Sequence, residues 1–342
     1  MSPVLDSVGM FDLTAALPEQ VAAAAVLDAD LDGLPDHEDI EHVVVLGMGG
    51  SGVSGEVVRA VAAPFMSVPL TIVKGYEAPS FVSEGTLCFA VSFSGGTEET
   101  LEAAQQAAAA GARMVALSNG GPLAELAASW DAPHIALPDI PMPRAGIGAV
   151  SIPPLLVLER VGLFPGATQY VADAVDQLRR RRDELIVDGS SAQRLAAAID
   201  RTIPLAYGGE AVGEVAAYRF KCQVNENAKA PAFWGALPEM CHNEICGWGQ
   251  HGDVTRQVVT VVRFRHDFEH PQVARRFDLT QPVLDEVVHD VLDVQAVGEG
   301  PLAQLFDLVI QGDFTSLHLA TQAGVDPGPI PVLEELKAAL AR

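Results

Sequence analysis

A short β-branched run that ends in clustered glycines and gives way to a small-residue helix constrains this chain more than any other feature. His42-Val-Val-Val-Leu46 has the composition of a strand buried on both faces. Gly47-Met-Gly-Gly-Ser-Gly52 then leads into Val53 to Ala62, small and apolar enough for a packed helix. The layout recurs: Thr86-Leu-Cys-Phe-Ala-Val91 reads as a strand, Ser92-Phe-Ser-Gly-Gly-Thr97 as its loop, and Thr97-Glu-Glu-Thr-Leu101 as a capped, acid-led helix start. After an N-terminal helical segment at about Asp12 to Leu27, elements alternate over 42–46, 51–62, 70–73, 86–91, 97–110, 113–117, 121–129 and 133–137. Such alternation predicts an α/β fold, a parallel sheet with helices on both faces, whose ligands sit at the carboxyl ends of the strands. Both loops fall there.

Glycine lets the backbone turn sharply and approach a ligand, and free amides at a helix start attract an anion. Two such cradles, with hydroxyls from Ser51, Ser92, Ser94 and Thr97, point to one phosphorylated ligand. Tight turns without a ligand are the alternative for either loop alone. Gly47-x-Gly49-x-x-Gly52 also fits a dinucleotide fingerprint, but the next strand, Leu70 to Val73, ends in Lys74 where an acid for a ribose hydroxyl is expected. A lysine there suits a 2′-phosphate, so that reading stays open.

The formal charge of −24 over 342 residues disfavours nucleic acid and anionic membranes as partners, so phosphate has to be held locally. Cysteines at 88, 222, 241 and 246 form no secreted disulfide pattern, and Met-Ser-Pro-Val-Leu-Asp lacks the marks of a signal peptide. A reducing cytoplasm is expected. The longest apolar stretch, Ala145 to Leu158, is too short to span a bilayer and contains Pro153-Pro154, so no membrane segment is expected.

The second half opens like the first. Ile203 to Val215 echoes Val45 to Val57 with a one-residue gap, which implies a duplicated α/β unit. In that alignment Glu210-Ala211 stands opposite Ser51-Gly52, and a carboxylate would repel phosphate, so the first half is expected to keep the anion site. A helical stretch from Ala172 to Leu185 separates the halves, its run Arg179 to Arg182 reading as a solvated face. The domains divide as 1–165, a helical linker 166–190, and 191–342.

The densest polar segment is Asn225-Glu-Asn-Ala-Lys-Ala-Pro231 followed by Pro238-Glu-Met-Cys-His-Asn-Glu-Ile-Cys-Gly-Trp248. It reads as a site or as a polar interdomain loop. Cys241, His242 and Cys246 match no usual zinc spacing, and a metal-free site is the expectation. Cys241 beside His242 is a poor nucleophile–base pair, because neighbours on an extended chain point to opposite sides.

Gly47-Met-Gly-Gly-Ser-Gly-Val-Ser-Gly-Glu56, Ser92 to Thr100, Pro143-Arg-Ala145, Asn225-Glu-Asn-Ala-Lys229, Pro238-Glu-x-x-His-Asn-Glu244 and Gly324-Val-Asp-Pro327 to Leu336-Lys337 together resemble the bifunctional phosphoglucose/phosphomannose isomerases. The resemblance runs from about residue 40 onward, and its Asn225 to Lys229 and Pro238 to Glu244 segments are the more specific. It implies two sugar isomerase (SIS) domains and a cofactor-free, metal-independent aldose–ketose isomerisation of glucose 6-phosphate and mannose 6-phosphate to fructose 6-phosphate, in a homodimer with a shared active site. It further implies Glu226 as the proton-shuttling base, His242 from the neighbouring subunit and Lys337 in ring opening, and Arg144 near the enediolate. Gly49, Gly50, Ser51, Ser92, Ser94 and Thr97 would hold the phosphate. Two departures stand out: Gly96 where the family pattern has asparagine, and Gly328 where threonine is frequent. The rival reading is a non-catalytic SIS sugar-phosphate sensor. A SIS enzyme on amino-sugar phosphates is a third.

Overall fold

The computed structural model describes residues 5–27 and 29–340. Residues 1–4, where the leader reading begins, lie outside them. The described residues form two compact units, one of Ala16–Arg180 with Val297–Asp307, the other of Arg181–Ala296 with 5–15 and 308–340.

In the first unit the strands are β1 (His42–Leu46), β2 (Leu70–Val73), β3 (Thr86–Val91), β4 (Arg113–Ser118) and β5 (His134–Ala136). They pair in parallel in the order β2-β1-β3-β4-β5. Val43, Val44, Val45 and all of β3 are buried, as strands covered by helices on both faces must be. The helices Gly49–Ala62, Glu98–Ala109 and Gly121–Ser129 follow β1, β3 and β4 as the pattern predicts. The apolar stretch near residue 150 is a buried helix, Ile147–Arg160, that carries Pro153 and Pro154. Among the described residues no helix is long and apolar enough to cross a membrane.

In the second unit β6 (Ile203–Gly209), β7 (Phe233–Leu237), β8 (Val259–Arg265) and β9 (Asp290–Gln295) pair in parallel in the order β7-β6-β8-β9. This repeats the order β2-β1-β3-β4, so the duplication read from sequence is structural. One element departs from expectation. The N-terminal segment is two helices, Met10–Ala15 and Leu17–Ala24, because Pro18 has no N–H to continue the first one's ladder. The arginine run lies on the helix Ala167–Leu185 and is laced to acids on the same helix, with Arg179 near Asp176, Arg181 near Glu184 and Arg182 near Asp183.

Candidate active site

In the first unit, β1 and β3 are neighbours whose chains depart in opposite directions, one toward β2 and the other toward β4. Right-handed crossovers therefore send their helices to opposite faces and open a crevice between the loops at the strand ends. The helix after β1 starts at Gly49 in the left-handed region, φ +52, with no side-chain cap. Its first-turn amides have no intrahelical partners, which leaves them open to an anion. The Phe93 amide donates to Ser51 Oγ at 3.2 Å, which ties the two loops together.

The four hydroxyls are not equivalent. Ser92 is fully buried, donates to Thr97 Oγ1 at 2.8 Å and accepts from the Thr97 amide at 3.2 Å, so it braces its own loop. Ser94 is exposed, while Ser51 and Thr97 are half-buried. Arg144, on the short turn Pro143–Ala145, is 5% exposed, and its Cα lies 3.8 Å from where a Gly50 Cβ would sit. The Arg144 backbone thus lies against the start of this helix, and its Nη1 donates to Met142 Sδ at 3.3 Å. Lys74 has another use, an ion pair with Glu56 at 2.7 Å, which removes the sequence argument for a 2′-phosphate. Gly96 faces open space, so nothing in the packing requires glycine there.

The corresponding crevice of the second unit is filled by the protein. Gly47 and Gly52 approach closely, a Cβ on Gly52 falling 2.7 Å from the Gly47 carbonyl oxygen; on Gly208 it would fall 1.9 Å from that of Gly213. This pairing matches 47 with 208 and 52 with 213, and so places Glu210, φ +51, opposite Gly49. The alignment by residue identity, which set Glu210 opposite Ser51, is corrected by backbone conformation. Glu210 Oε2 accepts from the His270 amide at 2.5 Å, and Glu269 accepts from Arg265 at 2.8 Å through each oxygen. Carboxylates occupy the place an anion would take.

The helix Glu210–Gln223 runs from the carboxyl end of β6 back to its amino end and finishes in a π-helical turn, Val224–Ala228, that carries Glu226. Such turns hold one residue more than an α turn and recur at functional positions. Asn225 Nδ2 donates to the Ala230 carbonyl at 2.9 Å, Asn227 Nδ2 to Ser316 Oγ at 2.9 Å, and Lys229 Nζ to the Glu226 carbonyl at 2.8 Å. The polar residues around Glu226 are its brackets, a role the sequence reading did not separate from chemistry. The Glu226 carboxylate makes no hydrogen bond to other described residues and is half-buried. Beneath it, Arg219 and Asp313 form a bidentate pair at 3.0 and 2.6 Å, and burial pushes the Asp313 carboxyl up against the pull of Arg219.

β7 then runs forward, and His242 follows at its carboxyl end on a short 3-10 turn, Glu239–His242, exposed to solvent. Glu244 fastens this segment by accepting from the hydroxyl of buried Tyr207, whose own ionisation is pushed up by burial and by that carboxylate. Asn243 Nδ2 donates to Glu239 Oε1 at 2.7 Å. Burial raises the Cys241 thiol, which donates to Met240 Sδ at 3.4 Å, so it is not a poised thiolate. Lys337 stands on the exposed helix Pro331–Leu340. Among the described residues no group of three or more His, Cys, Asp or Glu side chains is arranged to hold a metal ion.

Residues 38–134 match the SIS domain model, and residues 189–340 match the bacterial phospho-glucose isomerase C-terminal SIS domain. A bifunctional phosphoglucose/phosphomannose isomerase of Caldicellulosiruptor bescii is 33% identical over 97% of this chain and 99% of its own length. The chain belongs to this isomerase family. An Aquifex aeolicus protein of the same name is 30% identical over 88% of the chain and 90% of its own length. A D-glucosamine-6-phosphate 4-epimerase of Sulfolobus acidocaldarius is 32% identical over 64% of the chain and 67% of its own length. Among solved structures, a phosphosugar isomerase-like protein of Bacillus subtilis superposes with a TM-score of 0.67 at 17% identity, over 93% of this chain and 97% of that one. That likeness concerns the fold, two SIS-type α/β domains.

Gly328 has a packing cause. A Cβ there would lie 2.5 Å from Val8 Cγ2, so the segment around residue 8 demands the glycine.

Proposed function

We propose that this chain interconverts glucose 6-phosphate and mannose 6-phosphate with fructose 6-phosphate through an enediolate, without a metal. The amides of Gly49 and Gly50 with Ser51, Ser94 and Thr97 hold the phosphate, Ser92 bracing their loop. His242 moves a proton between O1 and the ring oxygen to open the ring, with Lys337 assisting. Glu226 takes the C2 proton of the open aldose and returns it to C1, while Arg144 offsets the charge that develops on the oxygens. C2 is trigonal in the intermediate, so both epimers lead to one enediolate and one ketose. A phosphorylated substrate and four free cysteines suit a reducing cytoplasm.

The observation that carries the reading is the Glu226 carboxylate, left unengaged on a turn whose neighbouring polar side chains are all occupied. A sensor has no need to keep a carboxylate free in this way. His242 stands at the other end of the same sheet, which supports a homodimer whose second copy supplies it. The relative named as an epimerase favours an amino-sugar phosphate as the second reading. The test is a coupled assay on glucose, mannose and glucosamine 6-phosphates, with and without chelator, for wild type and Glu226→Gln. Turnover of the first two that resists chelator and is lost in Glu226→Gln is expected. Undiminished turnover by folded Glu226→Gln removes the base assignment, and loss to chelator with recovery on zinc removes the metal-free mechanism.

A further inference from the structure

We propose that Lys229 is a positioning residue that sets the Glu226 turn and the loop leading to the Lys337 helix as one piece; this rests on the isomerase reading. Lys229 closes the π-helical turn in the left-handed conformation, φ +54 and ψ +29, which folds its side chain back over the turn. Its ammonium donates to the Glu226 carbonyl at 2.8 Å and to the Pro327 carbonyl at 3.1 Å. Carbonyls at the end of a helical turn have lost their intrahelical donors, and a cation placed on them is favoured by the helix dipole as well as by the hydrogen bond.

The other two brackets act elsewhere. Asn225 ties the turn to Ala230, and Asn227 ties it to Ser316 on the helix Gly300–Ala323. Lys229 reaches forward to Pro327, next to Asp326, whose carboxylate accepts from the Ser7 amide at 3.3 Å and the Gly328 amide at 2.9 Å. Four residues beyond Pro327 the Lys337 helix begins. A compact ammonium with three donors can serve two carbonyls that belong to different segments, which a neutral side chain of the same length cannot. The chain has only four lysines, and this is one of them.

The experiment compares wild type, Lys229→Met, which keeps the aliphatic stem and deletes the charge, and Lys229→Arg, with thermal midpoints alongside. Lys229→Met is expected to lower kcat for glucose 6-phosphate by tenfold or more with KM within about twofold, because an interaction that orients catalytic groups acts on kcat. Lys229→Arg is expected to recover most of the lost kcat. A Lys229→Met kcat within threefold of wild type overturns the proposal, as does a variant in which kcat, KM and thermal midpoint worsen together and arginine restores none of them. Should Lys229→Met not fold, Lys229→Gln is measured against the same limits. An inactive wild type, by contrast, sinks the isomerase reading itself.

Discussion

Glu226 and His242 stand at opposite ends of the four-stranded sheet, although they are only sixteen positions apart in the chain. The helix before Glu226 runs toward the amino end of β6, and β7 carries the chain back to the carboxyl end, a rise of about 13 Å at ~3.3 Å per residue. If each active site takes its histidine from the second copy, chains bearing Glu226→Gln and chains bearing His242→Ala, each inactive alone, complement one another when co-expressed. Random assortment should return about a quarter of wild-type activity, since half the dimers pair unlike chains and each of those holds one intact site of two. Absence of any recovery in verified mixed dimers would refute the shared site.

Ser51 both receives the Phe93 amide and faces the proposed phosphate position. Ser51→Ala should raise KM for the sugar phosphate about ten- to hundredfold, the loss of a hydrogen bond to a charged group being worth ~1.5–3 kcal/mol. Steady-state kinetics would show it, and an unchanged KM would move the phosphate away from this loop.

Arg219 and Asp313 are 3% and 4% exposed and hold each other bidentately. Arg219→Met leaves a buried carboxylate without its cation, with only Gln223 to hydrogen-bond it, and is expected to cost about 3–5 kcal/mol, read from the urea midpoint. Replacing both partners with leucine should cost clearly less. Activity should fall with the pair, because the Asp313 carbonyl accepts from Ser316 Oγ, which in turn holds Asn227.

His318 packs edge-on against Phe11 with ring centroids 5.2 Å apart, and its buried Nε2 has no hydrogen-bond partner among the described residues. Burial lowers its proton affinity below the ordinary 6.5. The unfolded chain therefore binds the proton more readily, and stability should decline as pH falls below about 6.5 toward the folded value. His134 is lowered in the same direction by burial, so both contribute. Thermal midpoints between pH 5 and 8 should fall less steeply on acidification in His318→Phe, and identical slopes would rule this group out.

The first-unit strands were legible because β-branched runs bounded by glycine leave little choice of element or of face. Pro18 split a helix that apolar spacing alone would have continued. The Glu210 register was misread because residue identity was matched where backbone conformation decides: a glutamate at φ +51 stands in for a glycine. The dense polar segment around Glu226 was legible, whereas the distance between Glu226 and His242 was not, since linear proximity carries no sign of which way the chain runs. The brackets at Asn225, Asn227 and Lys229 looked like further chemistry because the same polar atoms serve for holding and for reacting.

The Val224–Ala228 turn is a helix with one residue in surplus. Removing a single residue between 221 and 228 would let the ladder close with α-helical spacing and rotate everything beyond the gap by about 100° around the helix axis. The Glu226 side chain would then leave the direction its brackets define. Chain length at this turn is therefore as much a determinant of where the Glu226 carboxylate stands as the identity of any residue in it.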